Sequence, residues 1–191
     1  MEEKNCKKIL VVVDMQNDFV DGSLGTTEAV AIVENVKNKI LQYDHDMVYA
    51  TKDTHFYNYL STQEGELLPI RHCIIGTDGW EIVEPIFKLI GAHRVYEKQT
   101  FGSYNLADDL AYECFKDHKN TDEYPEIEIV GVCTDICVIS NALMLKSKIP
   151  HAKIIVDASC CAGTTPDRHR EALDIMRSCQ IYVINDGEEN D

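Results

Sequence analysis

Short apolar runs recur along the chain, separated by stretches whose apolar positions repeat with helical spacing. The runs at 9–13, 47–51, 94–97, 127–132, 153–156 and 181–184 are rich in Val, Ile and Tyr and predict six strands. Three of them are continuously apolar rather than alternating, as strands buried on both faces of a parallel sheet are. Amphipathic segments at 27–43, 105–117, 135–148 and 166–178 predict helices between the strands. The last opens on Pro166, whose missing N–H costs nothing in a first turn, after Thr165, which can cap. Strand and helix alternating in this way predict an α/β fold, a doubly wound, six-stranded, mostly parallel sheet with helices on both faces. No repeat, low-complexity tract or Pro/Gly/Ser linker interrupts the alternation, so residues 1–191 read as a single domain. Residues 54–80 fit no strand–helix unit and form a long excursion, the kind of loop that usually carries function.

Composition narrows the class. The 191 residues include 33 acidic and 18 basic side chains, a formal net charge of −15, with 45% hydrophobic and 27% charged residues. Those fractions are those of a soluble globular protein and exclude intrinsic disorder. The charge supplies no Lys/Arg stripe for a phosphate backbone or an anionic membrane, so neither nucleic acid nor membrane is expected as a partner. No run approaches the roughly 20 apolar residues of a membrane span. The opening MEEKNCKK is charged and the apolar run after it is too short for a signal peptide, which predicts a cytoplasmic protein. In that compartment the eight cysteines read as thiols, and no C-x-x-C pair suggests a metal knuckle. The acidic clusters at 2–3 and 188–191 read as solvated termini.

Open parallel sheets place their sites at the carboxyl ends of the strands. Strand one ends at Asp14, strand two runs into Lys52-Asp53-Thr54-His55, strand three ends at Lys98, and strand four runs into Cys133-Thr134-Asp135-Ile136-Cys137. Cys137 falls in the first turn of a predicted helix, where the dipole and a nearby Lys98 would lower a thiol pKa. The competing reading is a small buried hydrophobe. Asp14 is either a strand-end cap or a desolvated general base, and Lys98 either a surface cation or the link between that carboxylate and the thiol. Together they suggest a Cys/Asp/Lys hydrolytic centre. Asp53 and His55, two apart at a strand end, share a side, and Glu64 and His72 from the excursion could complete a carboxylate/imidazole site suited to Zn²⁺, Fe²⁺ or Mn²⁺. Adjacent Cys160 and Cys161 read as small residues filling the turn after strand five, in preference to a redox pair.

The segments VVVDMQNDFVDGSLG, KDTH, HCIIGTDGWEI, K-x-x-F-x-S-Y from Lys98 and GVCTDICV resemble the isochorismatase-like cysteine hydrolases, and within them the nicotinamidases, also called pyrazinamidases. The resemblance runs in order along nearly the whole chain. It implies a Rossmann-like three-layer sandwich and a catalytic triad on Asp14, Lys98 and Cys137. An oxyanion hole from the backbone N–H groups of Cys133 and Cys137 and a cis peptide between Val132 and Cys133 are also implied. One divalent metal ion, zinc with iron or manganese as alternatives, would sit on Asp53, His55 and His72, with Glu64 as the remaining ligand. Phe19 and Tyr104 match positions that hold the substrate ring, while Leu68 stands where an aromatic is expected. One lost stacking face is worth about 0.5–1.5 kcal/mol beyond area burial. Cys133 replaces a common Ala and leaves the backbone donor in place. The implied activity is hydrolysis of a small amide, nicotinamide, to nicotinate and ammonia through a thioester, in NAD salvage. Members often form oligomers, so a homo-oligomer is implied as well. Two rivals stand beside this reading: a metal-free hydrolase of the same superfamily acting on another amide, a carbamoyl compound or an enol ether, and a non-catalytic thiol-sensing protein.

Overall fold

The structure, a computed structural model, describes residues 7–92, 94–115 and 124–187. The terminal acidic clusters, Cys6 and the end of the helix predicted at 105–117 lie outside those residues. Six strands form one sheet: β1 (Lys8–Val13), β2 (Val48–Asp53), β3 (Val95–Lys98), β4 (Glu126–Val132), β5 (Lys153–Ala162) and β6 (Tyr182–Ile184). Their order is β3-β2-β1-β4-β5-β6 and every neighbouring pair is parallel. The chain works outward from β1 to β3, then crosses to β4 and works outward the other way. The switch point between β1 and β4 opens a crevice at the carboxyl ends of the strands, where such sheets bind ligands.

The continuous apolar runs are explained by burial on both faces. Ile9, Val11 and Val13 of β1 join Ile127 and Ile129 of β4 in one core, under α5 (Tyr104–Phe115), α6 (Ile139–Lys148) and α7 (Pro166–Ser178). Leu10 and Val12, with Val130 and Val132, join the opposite core under α1 (Asn17–Val20), α2 (Thr27–Ile40) and α4 (Glu84–Ile90). α2 buries Ala29, Ile32, Val36 and Ile40, a stripe of helical period, and Thr26 caps it by accepting the Ala29 N–H. Thr165 caps α7 in the same way, with Pro166 in the first turn as expected. Among the described residues no helix is long and apolar enough to cross a membrane.

Several elements depart from the sequence expectation. α4 was not expected: it has seven residues, below the length at which helical period separates from a short buried strand. β5 continues to Ala162, so Cys160 and Cys161 lie within a strand and not in the turn after it. They are buried on opposite faces of the sheet, each filling a different core. β5 reaches that length through an irregularity: Ile129 pairs with Val156, but Gly131 pairs with Cys161. Gly131 holds φ at +119°, and a Cβ there would stand 2.1 Å from the Val13 carbonyl oxygen. A side chain at 131 would therefore push β4 off β1 beside the crevice.

A buried charge cluster fastens α2 to the sheet. Lys39 Nζ lies 2.6 Å from Glu128 Oε1 and 2.7 Å from Asp157 Oδ2, and Tyr43 donates to Glu128 at 2.5 Å. Burial would raise the Asp157 carboxyl, but Lys39, Ser159 and Asn185 outweigh it and hold it below the ordinary value. A carboxyl lowered on folding adds stability above its unfolded pKa and loses it as pH falls through the folded value. Lys39→Met leaves two buried carboxylates without their cation and is expected to cost about 3–5 kcal/mol at pH 7. The deficit should shrink toward pH 4, because an unpaired buried Asp157 then takes up a proton. Urea unfolding of both proteins across that range measures this, and equal stabilities at pH 7 would show that the cluster does not hold the helix.

Candidate active site

Four strand ends and the excursion build the site. β1 delivers Asp14, which takes a left-handed backbone with φ at 49° and is fully buried. A non-glycine residue there is uncommon, and such conformations concentrate at functional sites. Thr51 of β2 donates to Asp14 Oδ1 at 2.7 Å. β2 ends at Asp53, two residues later than expected, and in register beside Lys98, the last residue of β3. β4 ends in a cis peptide between Val132 and Cys133. A π-helical turn, Thr134–Val138, then carries Cys137 and leads into α6. Wide turns of this kind are frequent at functional sites.

Lys98 joins the pieces. Its ammonium lies 2.7 Å from Asp14 Oδ2, 3.4 Å from Asp53 Oδ1 and 3.6 Å from Cys137 Sγ, and all four side chains are buried. Burial alone would lower the Lys98 pKa, but Asp14, Cys137 and Asp53 outweigh it and hold the group above its ordinary range. Lys98 is therefore a fixed cation. Burial raises the Asp14 carboxyl above its ordinary value against the opposing pull of Lys98. The same burial, with Asp14 adding to it, raises the Cys137 thiol well above the usual range. The shift runs opposite to the lowered thiol expected from the sequence: desolvation exceeds the pull of Lys98 and favours the neutral thiol.

Beside this group stand the residues read as metal ligands. Ligand atoms of Asp53, His55 and His72 all lie within 4.8 Å of one another. His55 Nε2 is 2.9 Å and His72 Nε2 is 3.6 Å from Asp53 Oδ2. Glu64 Oε1 approaches the same two imidazole nitrogens at 3.6 and 3.8 Å. It does so from α3 (Gln63–Leu67), which Thr62 caps through the Gly65 N–H. His72 Nδ1 donates to the Ile70 carbonyl at 2.9 Å, which leaves the Nε2 lone pair facing the two carboxylates. His55 Nε2 is buried and makes no aligned hydrogen bond. Two imidazoles and two convergent carboxylates fit a divalent transition metal such as zinc. Asp53 belongs to this centre and also faces Lys98 at 3.4 Å, so the centre and the Asp14–Cys137 group share a wall.

A cavity of about 430 Å³ opens onto both groups, lined in part by Phe19, Leu68, His72, Phe101, Cys133 and Cys137. Phe19 and Leu68 both line this cavity. Tyr104 does not: it is 62% exposed and lines a separate depression with Phe56 and Asn105. Its expected place is taken by Phe101, because the loop after β3 turns into α5 before Tyr104, whose side chain faces outward.

Other residues that hold the site were not singled out in the sequence. The buried Gln16 side chain grips Asp53 at both backbone groups, donating to its carbonyl at 2.8 Å and accepting its N–H at 2.7 Å. It also donates to the Trp80 carbonyl at 2.8 Å, so β1, β2 and the end of the excursion meet on one amide. Asp18 accepts the Cys73 N–H at 2.7 Å next to His72, and Gly79 is bare because a Cβ would meet that carboxylate at 2.1 Å. Asn141 donates to the Cys137 carbonyl at 2.8 Å and accepts the Ser103 N–H at 2.9 Å, tying the cysteine turn to the loop after Lys98. Tyr59, fully buried, packs 4.7 Å from the His55 ring and 5.0 Å from His72. Gln16 and Asp18 sit inside the D-x-Q-N-D-F motif, and Asn141 lies one helical turn past Cys137, a spacing that puts both on one face. Nothing local marks Tyr59.

Comparison with known proteins agrees with this architecture. The Mycobacterium tuberculosis protein named nicotinamidase/pyrazinamidase is 26% identical over 191 residues, covering 93% of this chain and 98% of that one. A Schizosaccharomyces pombe nicotinamidase is 28% identical over 210 residues, covering 93% and 92%. The crystal structure of Pyrococcus horikoshii pyrazinamidase in complex with zinc superposes with a TM-score of 0.75 at 25% identity, over 94% of this chain and 99% of that one. The model of the isochorismatase domain matches residues 8–187, from the first strand to past the last, and on that span the chain belongs to the isochorismatase family.

Proposed function

We propose that this protein is a cysteine amidohydrolase that converts nicotinamide to nicotinate and ammonia. The observation that carries the reading is the Lys98 ammonium set among the Asp14 carboxylate, the Cys137 sulfur and the carboxylate of an Asp/His/His cluster. The nicotinamidase relatives and the zinc-bound Pyrococcus structure support the substrate and the metal.

A zinc ion bound by Asp53, His55, His72 and Glu64 would supply a Lewis-acid anchor for the pyridine nitrogen. Phe19, Phe101 and Leu68 hold the ring, which places the carboxamide at Cys137. Asp14, its carboxyl raised by burial above the ordinary value, takes the proton of the Cys137 thiol. Lys98 stabilises the thiolate as it forms. The sulfur attacks the carbonyl carbon, and the backbone N–H groups of Cys133 and Cys137 receive the charge that builds on oxygen. Asp14 returns its proton to the amide nitrogen, the C–N bond breaks and ammonia leaves a thioester on Cys137. Asp14 then draws a proton from water, which attacks the thioester. Nicotinate departs and the thiol is restored.

Cys137→Ala is expected to lower nicotinamide turnover by a factor on the order of 10³ or more while leaving the thermal unfolding profile and metal content unchanged. Appreciable ammonia release by that variant would end the covalent mechanism. Removal of the metal with a chelator should raise KM or abolish turnover, with activity returning on addition of Zn²⁺. Glu64→Gln should weaken zinc binding by about 10- to 100-fold in a competition titration with a metallochromic indicator. Unaltered affinity would remove Glu64 from the ligand set.

A further inference from the structure

The cavity is wider than the proposed reaction uses. It runs along the carboxyl edge of the sheet from Asp53, at the end of β2, past Val132 and Cys137 beyond β4, to Ala162, Gly163 and Thr164 at the end of β5. In the strand order β2-β1-β4-β5 that span is three inter-strand spacings, roughly 14 Å. The metal-ligand cluster stands at the β2 end and the sulfur after β4, so a pyridine carboxamide held between them occupies the first two spacings. The third lies beyond the sulfur. The whole cavity, at about 430 Å³, is in the range that buries drug-sized ligands, whereas nicotinamide is one ring and one carboxamide.

The walls of that flank specify what it takes. They are Thr26 and Ala29 at the start of α2, Ile136 of the cysteine turn, and Ala162, Gly163 and Thr164. Thr26 Oγ1 accepts the Ala29 N–H, and the Thr164 hydroxyl donates to Asp135 Oδ2 at 2.6 Å. No charged side chain lines this end of the cavity, and the Lys98 ammonium is held by Asp14 and Asp53. A phosphate or carboxylate on the ligand would meet no free cation there and would approach the Asp135 carboxylate beside Gly163 and Thr164, which is strongly unfavourable. Methylene groups would exchange water for apolar wall.

We infer that the site accepts aromatic carboxamides carrying a short, uncharged apolar group, seated between the start of α2 and the loop after β5. This rests on the proposed amidase reading and extends its substrate class. The group can be carried on the ring or on the amide nitrogen; the two share one chemistry and are separated by experiment. The zinc-loaded protein is assayed with nicotinamide, then with its 5-methyl, 5-ethyl and 5-propyl derivatives and the corresponding N-alkyl amides, following carboxylate formation by chromatography. Along one of the two series kcat/KM is expected to rise about fourfold per methylene. The series that rises identifies the attachment point. Hydrolysis of nicotinamide with both series flat or falling would overturn the inference and leave the amidase reading intact. Failure of every amide would overturn both. In Ala29→Leu the ratio of kcat/KM for the best propyl amide to that for nicotinamide should drop by on the order of tenfold, as three added carbons fill the flank. An unchanged ratio would show that the group lies elsewhere.

Discussion

The site depends on one buried cation. Lys98 faces two carboxylates and a thiol in a place that water does not reach. An isolated ammionium there would be driven to the neutral form, and an isolated pair of carboxylates would repel. Each group is tolerable because the others are present. The arrangement also separates two roles that the same desolvation could have merged. Lys98 stays charged, whereas Asp14 and Cys137 are both pushed toward their protonated forms. A fixed charge beside two groups able to exchange a proton is the electrostatic condition for a base and nucleophile that become active together.

The sheet supplies the distances. β2 and β3 end in Asp53 and Lys98, paired in register, Asp14 directly follows β1, and the turn after β4 carries Cys137. The pairing of Asp53 with Lys98 is a direct consequence of β2 running two residues further than its apolar pattern. Gly131 lets β4 approach β1 closely where the crevice opens, and Gln16 replaces a missing strand partner by gripping both backbone groups of Asp53. Rigidity therefore comes from backbone contacts, and the reactive side chains inherit it.

Much of this was legible in the residues. The six strands, the long helices, the excursion and the candidates Asp14, Asp53, His55, Lys98 and Cys137 all follow from apolar period and from what stands at each strand end. The parts that were not legible share a cause. α4 is too short for its period to be distinctive. The irregularity in β5 arises from its pairing with β4, which no local pattern encodes. Tyr104 and Phe101 are both aromatic and three residues apart, and the direction of the loop after β3 decides which one faces the cavity. Cys137 was expected to be acidified by its helix terminus and Lys98, but complete burial pushes the thiol the other way.

The sequence by itself determined which chemical groups exist, the order in which strands deliver them and the two-sided burial that makes the sheet parallel, because apolar period and strand-end chemistry are local properties. Tertiary structure alone decided that one lysine faces both Cys137 and Asp53 of the Asp/His/His cluster, that Glu64 from a short helix faces the two imidazoles, and that burial favours the neutral thiol. Those outcomes depend on distance and on exclusion of water between segments far apart in the chain. Charge interactions and desolvation take their size from packing, which no single stretch of sequence contains.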